Sequence, residues 1–161
     1  ISHLIAVMSD GVIQQVSGGK TVYDEPDTAF VTSFVGENSA FAGTVIKADK
    51  SGAVVETAFG RLRGRNPKGL KSGDKAIIFV RPESLKPGKH AADTTLASEV
   101  NSVAFEGNVT HVYLKGQGKK EIILTVGRHG GVKIPEQGAK TAIGYDADLG
   151  IVLPDGKMAR E

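Results

Sequence analysis

The chain has 161 residues, 40% of them hydrophobic and 24% charged, with a net charge of +2, the composition of a globular domain. It contains no cysteine, which excludes disulfides, thiolate zinc sites and a cysteine nucleophile. No apolar run approaches the roughly 20 residues that cross a bilayer, and no signal peptide opens the chain.

Ile1 begins within an apolar pattern, so the chain reads as a piece of something longer. Leu4–Met8 reads as a short buried strand, Asp10-Gly11 as a two-residue turn and Val12–Val16 as the returning strand. Ser17-Gly18-Gly19 breaks the pattern. Asp27 is placed to cap a helix running to Val35, with Ala29, Phe30 and Phe34 on one face and Gly36 as its stop. Residues 1–36 are thus hairpin, turn, helix and stop.

After Gly36 the texture changes to short strands. They are expected at Phe41–Lys47, Ala53–Phe59, Lys75–Arg81, Leu96–Phe105, Val109–Leu114, Glu121–Val126, Thr141–Tyr145 and Gly150–Leu153. Turn clusters such as Asp49–Gly52, Ser72–Asp74 and Gln137-Gly138 separate them, the spacing of an all-β barrel or sandwich. A faint repeat runs through this region. SGDKAIIFVRPES at 72–84 lines up with QGAKTAIGYDADL at 137–149, and FAGTV at 41–45 with LASEV at 96–100. It reads as two divergent β units, about 39–85 and 96–155, joined by a polar loop at 86–95.

The chemistry-bearing residues are sparse. No GxxxxGK[ST] loop, G-x-S-x-G elbow or metal-ligand spacing among His3, His90, His111 and His129 is present. His111 reads as a strand-face residue. The Gly-rich stretch 127–131 leads into Val132–Pro135 and reads as a connection. Asp146 and Asp148 are two apart on one strand face, where such a pair is usually solvated. No catalytic residue, cofactor site or metal site is expected on this chain.

Charge is uneven. Residues 36–90 carry eleven Lys and Arg against five Asp and Glu. Arg61, Arg63 and Arg65 would share one face if they lay on a strand, with Lys68 close by, a candidate anion-attracting face; the simpler reading is a solvated surface. A single-stranded nucleic-acid groove would need aromatic platforms. Only Phe59 lies near and the chain has no Trp, so no nucleic-acid partner is expected. Arg81-Pro82-Glu83 closes the strand over Ala76–Val80 at a bend fixed by proline. These residues, with Gly36 and Glu37, are the candidate structural or inter-domain contacts.

Taken together, Ile5–Met8, Asp10-Gly11, Ile13, Gln15, Val22-Tyr23, Pro26, Phe30-Val31, Phe34–Asn38 and Arg81–Glu83 resemble the C-terminal part of an ABC-importer ATP-binding subunit. His3-Leu4 departs from the family's Asp-Arg, and Ser17–Lys20 from its Gly-x-Pro-x. The segment Leu96–Leu153 resembles the family's TOBE domain. The resemblance implies a mainly β fold, an OB-like (TOBE) β-barrel of two divergent β units over 37–161. The hairpin and helix of 1–36 would be left over from the ATPase domain. It implies a non-catalytic regulatory and dimerisation role, with ATP and Mg bound only by upstream parts of the parent subunit. Implied partners are a second ATPase subunit, as a homodimer, and transmembrane permease subunits, at the cytoplasmic face of the membrane. The transported solute reads as a polyamine, spermidine or putrescine, with ferric iron or another solute as the alternative. A small-anion-binding module is a further alternative.

Overall fold

A computed structural model describes residues 5–9, 11–17, 26, 28, 29, 32, 37–118, 120–127 and 131–156. The chain begins with a hairpin of β1 (Ile5–Ser9) and β2 (Val12–Ser17), as its Asp10-Gly11 signal predicts. The helix expected over 27–35 falls largely outside the described residues. Within it, Ala29 and Thr32 are helical, and the Thr32 amide donates to the Thr28 carbonyl at 3.0 Å.

Ten strands follow: β3 (Ser39–Asp49), β4 (Gly52–Thr57), β5 (Gly60–Gly64), β6 (Lys75–Val80), β7 (Lys86–Pro87), β8 (Thr95–Glu106), β9 (Val109–Lys115), β10 (Glu121–Gly127), β11 (Lys140–Gly144) and β12 (Gly150–Pro154). They form two five-stranded antiparallel sheets, ordered β12-β6-β3-β4-β5 and β10-β9-β8-β11-β7. All eight strands expected after Gly36 are present. Two corrections apply. β5 is a strand in its own right, and β7 lies inside the stretch expected to be loop.

The repeat seen in the sequence is built into the fold. Read from their outer ends, the sheets correspond strand for strand, β12-β6-β3-β4-β5 to β7-β11-β8-β9-β10. β3 bulges at Val45/Lys47 and β8 at Val100/Ser102. The Gly73 amide donates to the Val45 carbonyl (2.7 Å) and the Gly138 amide to the Val100 carbonyl (2.9 Å). A 3-10 turn at Pro82–Ser84 follows β6, and another at Ala147–Leu149 follows β11. After each turn the chain crosses to the other sheet. β7 pairs with β11, and β12 pairs with β6. Each half therefore completes the sheet of the other.

The expected barrels are open sheets by strand order. The first has its two edges joined at one place. The Arg65 amide donates to the Gly150 carbonyl and the Val152 amide to the Arg65 carbonyl, both at 2.8 Å, a parallel bridge between the end of β5 and β12. Glycine makes that approach possible, because a Cβ on Gly64 would lie 3.0 Å from the Gly150 carbonyl group and from the Ile78 side chain.

The two sheets share one apolar interior. Phe41, Val55, Leu62, Ile78 and Leu85 from the first half meet Leu96, Val112, Leu124, Ile143 and Tyr145 from the second in a single cluster. β9 and β10 alternate buried and half-buried positions, which is why their sequence alternates. β6 is an unbroken apolar run because both its faces are covered. Ile78 and Val80 point into the shared interior, and Ile77 and Phe79 join Ile151, Leu153 and Ala29 in a second cluster on the outer face. The 27–35 region thus contributes Ala29 to the cover of the first sheet.

Candidate functional site

The second cluster borders a cleft of about 430 Å³. Phe79 and Ile151 lie on one side, and Arg81, Glu83 and Ser84 come from the bend after β6. Asp148 and Leu149 come from the matching bend after β11, Arg65 from the seam, and Pro26, Thr32 and Asn38 from the N-terminal region. The strand exchange builds this cleft, because β12 carries the end of the second half against β6 of the first. Thr32 is held in place by its hydroxyl, which donates to the Thr28 carbonyl at 2.9 Å. Asn38 Nδ2 donates to the Thr32 carbonyl at 2.9 Å, tying the entry of β3 to the N-terminal region.

Arg81-Pro82-Glu83 sits where its sequence predicts, at a bend. Pro82 is buried at the start of the 3-10 turn, and the Ser84 amide donates to the Arg81 carbonyl at 2.9 Å. Arg81 Nη1 donates to the Glu37 carbonyl at 3.4 Å, so these two candidates meet. Glu83 is exposed and lines the cleft. Gly36 lies outside the described residues.

The four basic candidates separate. Arg61 and Lys68 are exposed. Arg63 Nε pairs with Asp93 Oδ2 at 2.9 Å, and its Nη1 donates to Ser51 Oγ at 3.2 Å. Ser51 in turn donates to Asp49, which, with its amide, holds the Asp49 carboxyl below the usual range. Arg63 thus ties β5 to the segment leading into β8. Arg65 lies in the cleft, facing a different neighbourhood. Sequence spacing put the three arginines on one face, but the seam and the Asp93 pair divide them. Replacing Arg63 with Ala is expected to lower stability by only about 0–1 kcal/mol, because both partners of the pair are partly exposed. Chemical denaturation at low and high salt checks this. A loss above about 2 kcal/mol would show that the Asp49–Ser51–Arg63–Asp93 chain acts as a unit.

The remaining candidates are structural. His111 is a strand-face residue, with Nδ1 at 2.8 Å from Thr125 Oγ1 and Nε2 at 3.2 Å from Glu106. His90 is exposed and packs over Gly144. His3 and His129 fall outside the described residues. Asp146 and Asp148 do not share a strand face as expected; they flank and enter the 3-10 turn after β11, both exposed. Phe59 packs edge-on against Phe41, ring centres 5.7 Å apart, instead of offering a stacking surface. No cluster of potential metal ligands occurs among the described residues, and no described helix is long and apolar enough to cross a membrane.

Sequence reasoning missed Arg65, Phe79, Asp148, Leu149 and Ile151 as cleft-lining residues. The repeat carried the available signal, since it aligns the two bends that face each other across the cleft.

The TOBE domain model matches residues 78–153, from within β6 to the end of β12. The chain is 37% identical to the spermidine/putrescine import ATP-binding protein PotA of Rubrobacter xylanophilus, over 71% of this chain and 31% of that one. It is 28% identical to PotA of Nitrosospira multiformis, over 96% of this chain and 45% of that one. The chain is similar to the TOBE-bearing C-terminal regions of ABC-importer ATP-binding subunits. The lactose transport ATP-binding protein LacK of Rhizobium radiobacter is similar as well, at 31% identity over 91% of this chain and 41% of that one. This TOBE region therefore spans less than half the length of these curated relatives. Its fold is also that of a solved structure, the cytoplasmic molybdate-binding protein ModG with molybdate bound. The TM-score is 0.58 at 20% identity, over 73% of this chain and 96% of that one. The matched TOBE segment includes both exchanged strands, β7 and β12.

Proposed function

We propose that this TOBE region is the non-catalytic regulatory and dimerisation part of an importer's ATP-binding subunit, with a polyamine as the transported solute. The observation that carries the reading is the burial of Ala29 against Ile77, Phe79, Ile151 and Leu153. Ala29, which lies in a stretch of sequence resembling the end of the ATPase domain, is thereby packed against the β region, a contact through which the two parts would be coupled. The hairpin supports the same reading. Val7 and Gln15 are buried, while Met8, Val12, Ile13 and Val16 are each at least half exposed. The register puts Met8, Ile13 and Val16 on one face, and that apolar face suits an ATPase core packed against it. Arg81, Pro82, Glu83 and Glu37 then form the joint between the two parts, with Gly36 in the sequence just before it. A β region that holds two motor subunits together raises their effective concentration while leaving them free to open and close.

The polyamine assignment rests on the names of the two PotA relatives, and the LacK relative keeps a sugar importer as its rival. In the parent subunit, ATP and Mg belong to the motor domain, and the partners are a second ATPase subunit and the permease subunits at the cytoplasmic face.

Sedimentation velocity on the 161-residue chain is expected to show a reversible dimer and no ATP hydrolysis in the same preparation. A monomer at every concentration, or turnover of ATP, would refute the role. Uptake assays with the full subunit in vesicles decide the solute. Spermidine-dependent ATP hydrolysis supports the polyamine reading, and lactose dependence overturns it.

A second reading, binding of a small oxyanion, is favoured by the ModG fold and by Arg65 and Arg81 in one cleft. Glu83 and Asp148 in the same cleft oppose it. Titration calorimetry with molybdate and sulfate decides between them, and absence of saturable heat rejects the oxyanion.

A further inference from the structure

The cleft at the Arg81 bend carries charge of both signs above an apolar floor. Arg65 and Arg81, both half-buried, line it from the seam and from the bend after β6. Glu83 and Asp148, both exposed, line it from the two matching bends. These two carboxylates are equivalent residues of the internal repeat, since the alignment of 72–84 with 137–149 places Asp148 on Glu83. The strand exchange therefore brings one carboxylate from each half to the same opening. Arg81 is steadied there by its bond to the Glu37 carbonyl at 3.4 Å.

An ion of one sign gains little from such a lining, because every attraction is accompanied by a repulsion. A dipolar molecule gains from both kinds of charge at once. The floor adds a second condition. Phe79 and Ile151 are 2% and 6% exposed, but Leu149, which lines the same cleft, is 46% exposed. A large aliphatic side chain left half in water at an opening is surface that the apolar part of a ligand would cover with a gain in free energy. The volume of about 430 Å³ is that of a small-ligand pocket.

We propose that this cleft binds a free α-amino acid with an aliphatic side chain. Arg65 and Arg81 take its carboxylate through charge-assisted hydrogen bonds, and Glu83 and Asp148 take its ammonium group. Leu149 and Ile151 cover its side chain. Pro26 and Thr32, from the stretch of sequence that resembles the end of the ATPase domain, line the same cleft. A bound amino acid therefore touches both parts and acts as an effector of the contact between them. That consequence rests on the regulatory reading given above, whereas the binding itself does not.

The probe is L-leucine, titrated calorimetrically into the 161-residue chain. Saturable heat is expected. Isocaproate, which lacks the amine, and isoamylamine, which lacks the carboxylate, are each expected to bind at least about tenfold more weakly, as the loss of hydrogen bonds between charged groups requires. Asp148→Asn and Glu83→Gln, both at exposed positions, are each expected to weaken L-leucine by about tenfold as well. Circular dichroism and thermal unfolding confirm that the two variants remain folded. No saturable heat with L-leucine up to about 10 mM overturns the proposal. So does binding of isocaproate or isoamylamine as tight as that of L-leucine, since one charge then suffices. Binding of L-leucine that both folded variants leave unaltered overturns it too, because the amino acid then sits elsewhere. None of these failures changes the dimer expected in sedimentation velocity, so the two readings stand or fall separately.

Discussion

A chain ended at Leu149 is expected to lose its folded state, giving the circular dichroism of a disordered polypeptide and no cooperative thermal transition. Only β12 and the tail are removed, but β12 is interior. Val152 and Leu153 are fully buried and Ile151 nearly so. Removing three large aliphatic side chains from the interior costs about 5–9 kcal/mol, while domains of this size are stable by roughly 5–15 kcal/mol in all. The deletion also strips the edge of β6 and removes the Arg65 bridge that joins the ends of the first sheet. Because the exchange is reciprocal, the same argument applies to the halves made separately. Residues 37–88 lack the strand that covers β6, and residues 89–156 lack the one that covers β11. Each half alone is expected to be unstructured, and mixing them is expected to restore the β spectrum. A Leu149-ended chain that melts within a few degrees of the complete one would show that β12 is dispensable and that the halves are independent.

Tyr145→Phe is expected to change both the stability and its dependence on pH. Tyr145 is buried beside the seam, and its hydroxyl donates to the Arg63 carbonyl at 2.7 Å. Removing the hydroxyl leaves a buried carbonyl without that donor, at a cost of about 1–3 kcal/mol near neutral pH. Burial, with Asp93 nearby, pushes the Tyr145 phenol well above its ordinary range. The folded state therefore holds this proton more tightly than the unfolded chain does. The stabilisation is fully present below about pH 10, the value of a free tyrosine, and falls as pH rises above it, by roughly 1.4 kcal/mol per pH unit. In the phenylalanine variant that component is absent. The stability gap between the two proteins, measured by urea denaturation from pH 7 to pH 11.5, is expected to narrow above pH 10. A constant gap across that range would show that Tyr145 ionises in the folded state as readily as in water. Tyr113 is also raised, by desolvation and nearby carboxylates, but it is present in both proteins and leaves the comparison unaffected.

The strands that the sequence revealed are those whose local pattern follows from a one-sided or two-sided burial. β9 and β10 alternate because one face meets the shared interior. β6 is continuous because both faces are covered. β5 and β7 were invisible for the opposite reason. Gly60–Gly64 offers a single apolar residue, Leu62, between two arginines, and becomes a strand only because β4 presents an edge to it. Lys86-Pro87 has no strand signal at all and is recruited by β11. The Arg81-Pro82-Glu83 bend was legible because proline imposes it locally. The cleft beside it was not, since Arg65, Phe79 and Asp148 belong to distant parts of the chain and meet only after the strands exchange.

By itself, then, the order of residues established an all-β region after Gly36, its two-fold internal repetition and its kinship with importer ATP-binding subunits. Those properties depend on side-chain periodicity, turn residues and short local patterns, each contained within a few neighbouring positions. Only the tertiary structure decided that β7 and β12 trade places, that the interior is shared, and that the two bends face each other across one cleft. Pairing between strands is a contest among edges far apart in the chain, and its outcome depends on which hydrogen-bonding groups and apolar faces arrive together, which no local window of sequence contains.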